Sequence, residues 1–260
     1  MNLIQSWLLD SDLEWRLNEC LIALGGNVQI SGQVFEDSLA QLIRRDCCGV
    51  KMSRILSTRP VGSDAGFQFL NAAAVLQTEL PPLELLHRLH EVETMFGRVR
   101  TRHWGPRTLD LDLILYHDQI SNTPQIVLPH PAMWYRRFVL EPAVEVASEM
   151  VHPILKESVS QLYGRLLCRP LSLEICGPES LLQDIIVASD MHSVHEIVLK
   201  PKDSATAIAP ESFARIDVRL GELNEISKPL NRNGREIEII GETADELASM
   251  LKQLKIAMLG

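Results

Sequence analysis

Apolar positions in the first half of the chain switch between strand spacing and helix spacing, and the switches mark out the elements. Cys20 to Leu24 is an unbroken apolar run, a first strand that ends at a turn over Gly25-Gly26-Asn27. Phe35, Leu39, Leu42 and Ile43 then recur at helical spacing between Ser31 and Asp46, with Gly49 placed to close that helix. Val50 to Ser57 and Phe69 to Thr78 read as the next two strands, separated by a proline- and glycine-bearing loop at 58–66. Pro81-Pro82 opens a second helix that carries Leu85, Leu86, Leu89, Val92 and Phe96 on one face and stops at Gly97. From Leu109 to Tyr116, Leu109, Leu111, Leu113 and Leu115 alternate with Asp110, Asp112, Ile114 and Tyr116, the pattern of a half-buried strand.

Strand, helix, strand, strand, helix, strand is the order of a ferredoxin-like α+β sandwich, in which both helices pack on one sheet face and the other stays free. Residues 1–18 mix Trp7, Leu8, Leu9, Leu13 and Trp15 with acidic residues, as an amphipathic extension does. Beyond about residue 168 the pattern resumes with strands at 172–176, 215–220 and 236–240 and an amphipathic helix over 243–258. The expected organisation is an extension (1–18), a catalytic domain (19–168) and a small α/β domain (169–260).

The chemistry concentrates between Gly97 and Tyr116. A strand there sends Asp110 and Asp112 out on one face, with Cα atoms roughly 6 to 7 Å apart. Two carboxylates so placed repel one another and call for a cation; Mg²⁺, held by one or two carboxylates plus substrate phosphates, fits best. Arg98, Arg100, Arg102 and Arg107 precede them on a segment broken by Gly105-Pro106, and guanidinium groups bind phosphate bidentately. Trp104 offers a flat surface to a ring or anchors the loop. A bare D-x-D usually means only a solvated strand face, but this one follows W-G-P-R-T-L. Asn71, inside an apolar strand, needs a polar partner. Glu93 stands one turn before the arginines and can steady them. His130 sits in the rigid Leu128-Pro-His-Pro131, followed by Arg136, Arg137 and Phe138.

A net charge of −9 over 260 residues makes the arginine cluster a local positive site on an acidic protein, so a small polyanion is a better partner than nucleic acid. Five cysteines without a C-x-x-C pair argue against a zinc site or a disulfide framework. With no signal-like N-terminus and no long apolar run, a cytoplasmic protein without membrane contact is expected.

His103-Trp-Gly-Pro-Arg-Thr-Leu-Asp-Leu-Asp-Leu-Ile-Leu-Tyr116 resembles the signature of the 6-hydroxymethyl-7,8-dihydropterin pyrophosphokinase family. Ala23-Leu-Gly-Gly-Asn27, Ser57-Thr-Arg-Pro-Val-Gly62, Phe69-Leu-Asn-Ala-Ala73 and Leu128-Pro-His-Pro131 extend the resemblance over about residues 20–164. It implies transfer of pyrophosphate from ATP to a pterin alcohol in folate biosynthesis, with two Mg²⁺ ions on Asp110 and Asp112. It also implies a catalytic set of Arg98, Arg107, Asp110 and Asp112, and ATP contacts from Arg98, Arg100, Trp104, Arg107, His130 and Arg136. Thr58, Val61, Asn71, Asp110 and Phe138 would hold the pterin, while either Arg102 or His103 faces the nucleotide. The part beyond Gly164 carries no resemblance and reads as an interaction or dimerisation module.

Two other classes fit parts of the pattern. An RNA-binding sheet would want a basic surface and an aromatic-glycine motif, both missing here. A D-x-D glycosyltransferase would want a doubly wound nucleotide-binding sheet, which this element order does not give.

Overall fold

The computed structural model describes residues 17–27, 32–44, 47–58, 68–98, 108–191, 195–201, 213–220, 225–227 and 235–259. The extension expected over 1–18 lies almost wholly outside them.

Five strands form the N-terminal sheet: β1 (Asn18–Gly26), β2 (Cys47–Met52), β3 (Leu56–Thr58), β4 (Phe69–Thr78) and β5 (Asp110–Tyr116). Their order is β2-β4-β1-β5, with β3 also on β4, and every pair is antiparallel. Helices α1 (Gln33–Ile43) and α2 (Pro82–Met95) cover one face. Phe35, Leu39, Leu42, Leu85, Leu89 and Val92 pack there against Ile22, Leu24, Leu76 and Leu111. Ile43, expected on the buried face of α1, is instead half exposed.

Two glycine signals turn out to mean something else. Gly25-Gly26 does not turn the chain, because both residues continue β1, and Gly25 pairs with Asn71 on one side and Asp110 on the other. Gly49 does not close α1. It lies inside β2 at φ +57°, where the register slips by one residue between Cys48 and Lys51. That is a β-bulge with its extra residue in the left-handed region, where a side chain is strained. What reads as one strand from 50 to 57 is therefore two, β2 and β3, joined by a corner at Ser53 that bonds twice to Ala73.

The alternation along β5 also breaks. Leu109, Leu111 and Leu113 face the helices as expected, but the pairing with β1 skips a residue between Leu113 and Leu115. This bulge moves Leu115 to the opposite face and puts Tyr116 on the helix side. Tyr116 donates its hydroxyl to Leu80 O at 2.7 Å, and burial raises its pKa to about 12.

The second face of the sheet, expected to be free, is covered over much of its area. After the ribbon of β6 (Ser121–Asn122) and β7 (Val127–Leu128) and a 3-10 turn at Met133–Tyr135, α3 (Arg137–Ala147) crosses β4 and β1. Its Val139, Leu140 and Ala143 share a core with Leu21, Ala73, Val75 and Ile114. That core continues through α4 (Val159–Leu167) into a second sheet built from β8 (Leu171–Gly177), β9 (His195–Pro201), β10 (Ala214–Leu220), β11 (Glu225–Ser227) and β12 (Glu236–Gly241). The strands run in the order β11-β12-β10-β8-β9, parallel except at β11. α5 (Glu179–Ser189) and α6 (Ala244–Leu259) pack on each other and add their apolar faces to the shared core. The chain is thus a mixed α+β fold. All five cysteines are free thiols, and among the described residues no helix is long and apolar enough to cross a membrane.

His152 pins the loop between α3 and α4: its Nδ1 accepts from Leu155 N at 3.1 Å, and only 3% of the residue is exposed. Burial disfavours the imidazolium and lowers its pKa to about 4. An unfolded chain takes up this proton near pH 6.5, the folded one only near 4, so stability present above pH 6.5 drains away as the pH falls between those values. The loss is on the order of 3 kcal/mol. Urea titrations at pH 7.5 and 4.5 should show a smaller acid loss for His152→Gln than for wild type; equal losses would contradict this assignment.

Candidate active site

Register places the chemistry. Asn71 of β4, Gly25 of β1 and Asp110 of β5 lie in one row across three strands, and Ala73, Ala23 and Asp112 form the next. Paired residues in a sheet share a face, so Asn71, Asp110 and Asp112 all project to the side that α3 covers further along. Both aspartates are half-buried, flanked by buried Leu111 and Leu113 on the helix side. At Gly25 an added Cβ would stand 3.8 Å from Asn71 Oδ1 and 3.9 Å from Asp110 Cβ. The missing side chain therefore leaves a gap between the polar groups on either side.

One buried carboxylate organises the start of β5. Glu93, in the last turn of α2, is 1% exposed and accepts a hydrogen bond from Leu111 N at 2.8 Å. The same oxygen takes the Arg98 guanidinium, and Arg98 N donates to Glu93 O at 3.1 Å as the chain leaves the helix at Gly97, whose φ of +81° suits a glycine helix stop. Arg98 also reaches Asp110 Oδ1 at 2.5 Å. A single guanidinium thus spans a fully buried acid and a partly buried one, giving each carboxylate a charged donor.

Asn71 donates through Nδ2 to Thr58 Oγ1 at 2.8 Å, bringing together two residues expected on the pterin side. His130 hangs on the β5 bulge, its N–H donating to Ile114 O at 2.9 Å. Its Nδ1 accepts from Ala132 N at 3.2 Å, which fixes the ring proton on Nε2. Arg136 and Phe138 stand at the start of α3, with the guanidinium carbon 5.6 Å from the ring centroid. Arg137 is committed elsewhere: Nε donates to Glu141 Oε2 at 2.8 Å and an Nη to Leu259 O at 2.7 Å. Val61, Arg100, Arg102, His103, Trp104 and Arg107 lie outside the described residues.

Gly25 is the site residue that the sequence does not announce, because its role shows only when β4 and β5 flank it. Glu93 can be found from its spacing to the arginines, but not its bond to Leu111. Among the described residues no group of three or more His, Cys, Asp or Glu side chains gathers as a metal site.

Comparison with known proteins matches residues 21–148 to the family of 7,8-dihydro-6-hydroxymethylpterin-pyrophosphokinase. The 2-amino-4-hydroxy-6-hydroxymethyldihydropteridine pyrophosphokinase of Bacillus subtilis is 39% identical over 134 residues, 51% of this chain and 80% of the relative. Its Synechocystis counterpart is 34% identical over 193 residues, 71% of this chain and 96% of the relative. A Plasmodium falciparum HPPK-DHPS crystal structure aligns over 75% of this chain and 57% of its own, with a TM-score of 0.46 and 11% identity. The chain belongs to the 7,8-dihydro-6-hydroxymethylpterin-pyrophosphokinase family. The family match stops at the end of α3, and α4 with the second sheet lies beyond it.

Removing the buried acid should unseat this arrangement. Glu93→Ala takes from Arg98 its buried partner, leaving only Asp110, and leaves Leu111 N without its acceptor, at a cost of about 3–5 kcal/mol; Glu93→Gln, which keeps an acceptor, should cost about 1–3 kcal/mol. Urea unfolding of both variants checks the order, and an unchanged midpoint for Glu93→Ala would contradict it.

Proposed function

We propose that this chain carries out the reaction of its family: it transfers pyrophosphate from ATP to the hydroxymethyl group of 6-hydroxymethyl-7,8-dihydropterin, releasing AMP, a step of folate biosynthesis. The observation that carries the reading is the placement of Asp110 and Asp112 together on a half-exposed sheet face, with Arg98 already seated against Asp110. We read the N-terminal sheet order, with α1 and α2 on one face, as ferredoxin-like. Its antiparallel pairing also speaks against a doubly wound glycosyltransferase.

The residues present suit Mg²⁺. Two hard oxygen donors share a face above Gly25 and Ala23, which offer no bulk to fill the space, and two carboxylates with phosphate oxygens make a usual magnesium set. Asp110 and Asp112 would hold the metal, and we assign two ions. When bound, Mg²⁺ would neutralise triphosphate charge and lower the repulsion met by the incoming oxygen.

The pterin hydroxyl oxygen attacks the β-phosphorus of ATP, the bond between the α and β phosphates breaks, and AMP leaves. No protein nucleophile is needed, since such transfers rest on positioning and charge. Arg98, Arg107, His130 and Arg136 form the phosphate clamp, with His130 presenting Nε2–H as a donor. Arg100 and Trp104 complete the nucleotide side. Asn71 and Thr58 read the polar edge of the pterin, Val61 and Phe138 close on its ring, and Asp110 borders both substrates. Arg98 is paired with Asp110, so the fold itself holds this part of the clamp in place.

Purified protein given ATP, Mg²⁺ and the pterin alcohol should form AMP, and Asp112→Ala should slow this by about 10²–10³-fold or more while keeping its melting temperature. Near-normal AMP formation by Asp112→Ala would overturn the site. Arg98→Ala should lower kcat by about 10²-fold yet shift the calorimetric Kd for the pterin by less than about threefold. Equal losses in both would move Arg98 from the phosphates to the pterin.

A further inference from the structure

We propose that Arg137 is a positioning residue through which the C-terminal sheet and α6 set the placement of Arg136 and Phe138. The inference rests on the reading of those two residues as ATP and pterin contacts, and it gives residues 169–260 a role in the reaction.

Two elements converge on this guanidinium. Within α3 it bonds Glu141 one turn on, at 2.8 Å. From beyond the family match, Leu259 O of α6 accepts at 2.7 Å. The last bond has a clear physical cause. A helix leaves its final carbonyls without intrahelical partners and carries partial negative charge at that end. The last turn of α6 holds no basic residue of its own, although its first turn holds Asp245 and Glu246. Arg137 supplies the missing cation from another element.

Arg137 also opens α3, and the two residues beside it are the ones whose geometry matters. Arg136 precedes the helix in extended conformation, at ψ 107°, and Phe138 takes its first turn. Fixing Arg137 therefore fixes where the chain enters α3 and the direction in which its neighbours leave the backbone. The far end of α3 is held separately, by Glu145 against Arg54 at 2.7 Å. Below, Leu140 and Ala143 share their core with Leu254, Ala257 and Met258 of α6. The helix that carries the two contacts is thus gripped along its length, and at its entrance the grip comes from α6.

The test uses full-length protein and two variants. Arg137→Met keeps the packed stem and removes every donor, and Arg137→Lys keeps the charge without the fork. At 25 °C, with each variant shown folded, KM for both ATP and the pterin alcohol should rise about 10- to 100-fold in Arg137→Met, since small misplacements of binding groups carry losses of that size. Arg137→Lys should recover part of the loss. A purely structural role would instead lower the melting temperature and leave both KM values within twofold of wild type, and that result overturns the proposal. If Arg137→Met does not fold, Arg137→Lys decides alone: elevated KM values support the proposal and unchanged ones overturn it. Wild-type protein that forms no AMP would instead overturn the functional reading on which this rests.

Discussion

The end of the sheet that carries Asp110 and Asp112 depends on a carboxylate that is almost fully buried. Glu93 ends α2, begins β5 through Leu111 N, and holds Arg98 against Asp110. A helix end, a strand start and the approach to the arginine segment thus share one buried acid. Such a group is stable only while its partners remain, so the local fold and the charge of the site stand or fall together. The same arrangement sets a guanidinium against one of the two carboxylates on the half-buried face of β5.

Around that anchor the sheet divides its upper face by residue size. Ala23 and Gly25 keep the floor low beneath Asp112 and Asp110, while Leu21, Val75 and Ile114 build a hydrophobic seat for α3 further along. The bulge opposite Leu21 marks the change, turning Leu115 into that seat and leaving Ile114 O to hold His130. One strand therefore serves as polar wall, core and docking edge within seven residues. By covering the rest of the face, α3 brings Arg136 and Phe138 to the same side of the sheet as the aspartates. The core behind it runs unbroken into the second sheet, which places residues beyond the family match in physical continuity with the site.

Much of this was legible in the sequence, and the parts that were not share a cause. Period-2 spacing gave the common face of Asp110 and Asp112 because it is a local property of β5. The bulge in the same strand was hidden, since it exists only in the register against β1. Gly25-Gly26 carries the usual signature of a turn, yet pairing on both sides keeps it extended; what the glycine adds is space between Asn71 and Asp110. α3 was masked by Pro142 inside it, which reads as a breaker although the helix runs through. α4 did have a local signal, the capping box of Ser158 and Gln161, both halves of which form. The charge on the arginine cluster was readable, and so was Glu93 as a partner for it; the bond that Glu93 makes to Leu111, 18 residues on, was not.

The proposed reaction requires open space between Asn71 and Asp110, and Gly25→Val tests that requirement most directly. Valine suits a strand and meets only ordinary contacts at its Cβ, so the variant should melt at or above the wild-type temperature. Its branches would nevertheless stand where the two substrates meet. The expected result is a well-folded protein whose AMP formation from ATP and the pterin alcohol falls by about 10²-fold or more. Wild-type turnover in a folded Gly25→Val protein would place the chemistry elsewhere.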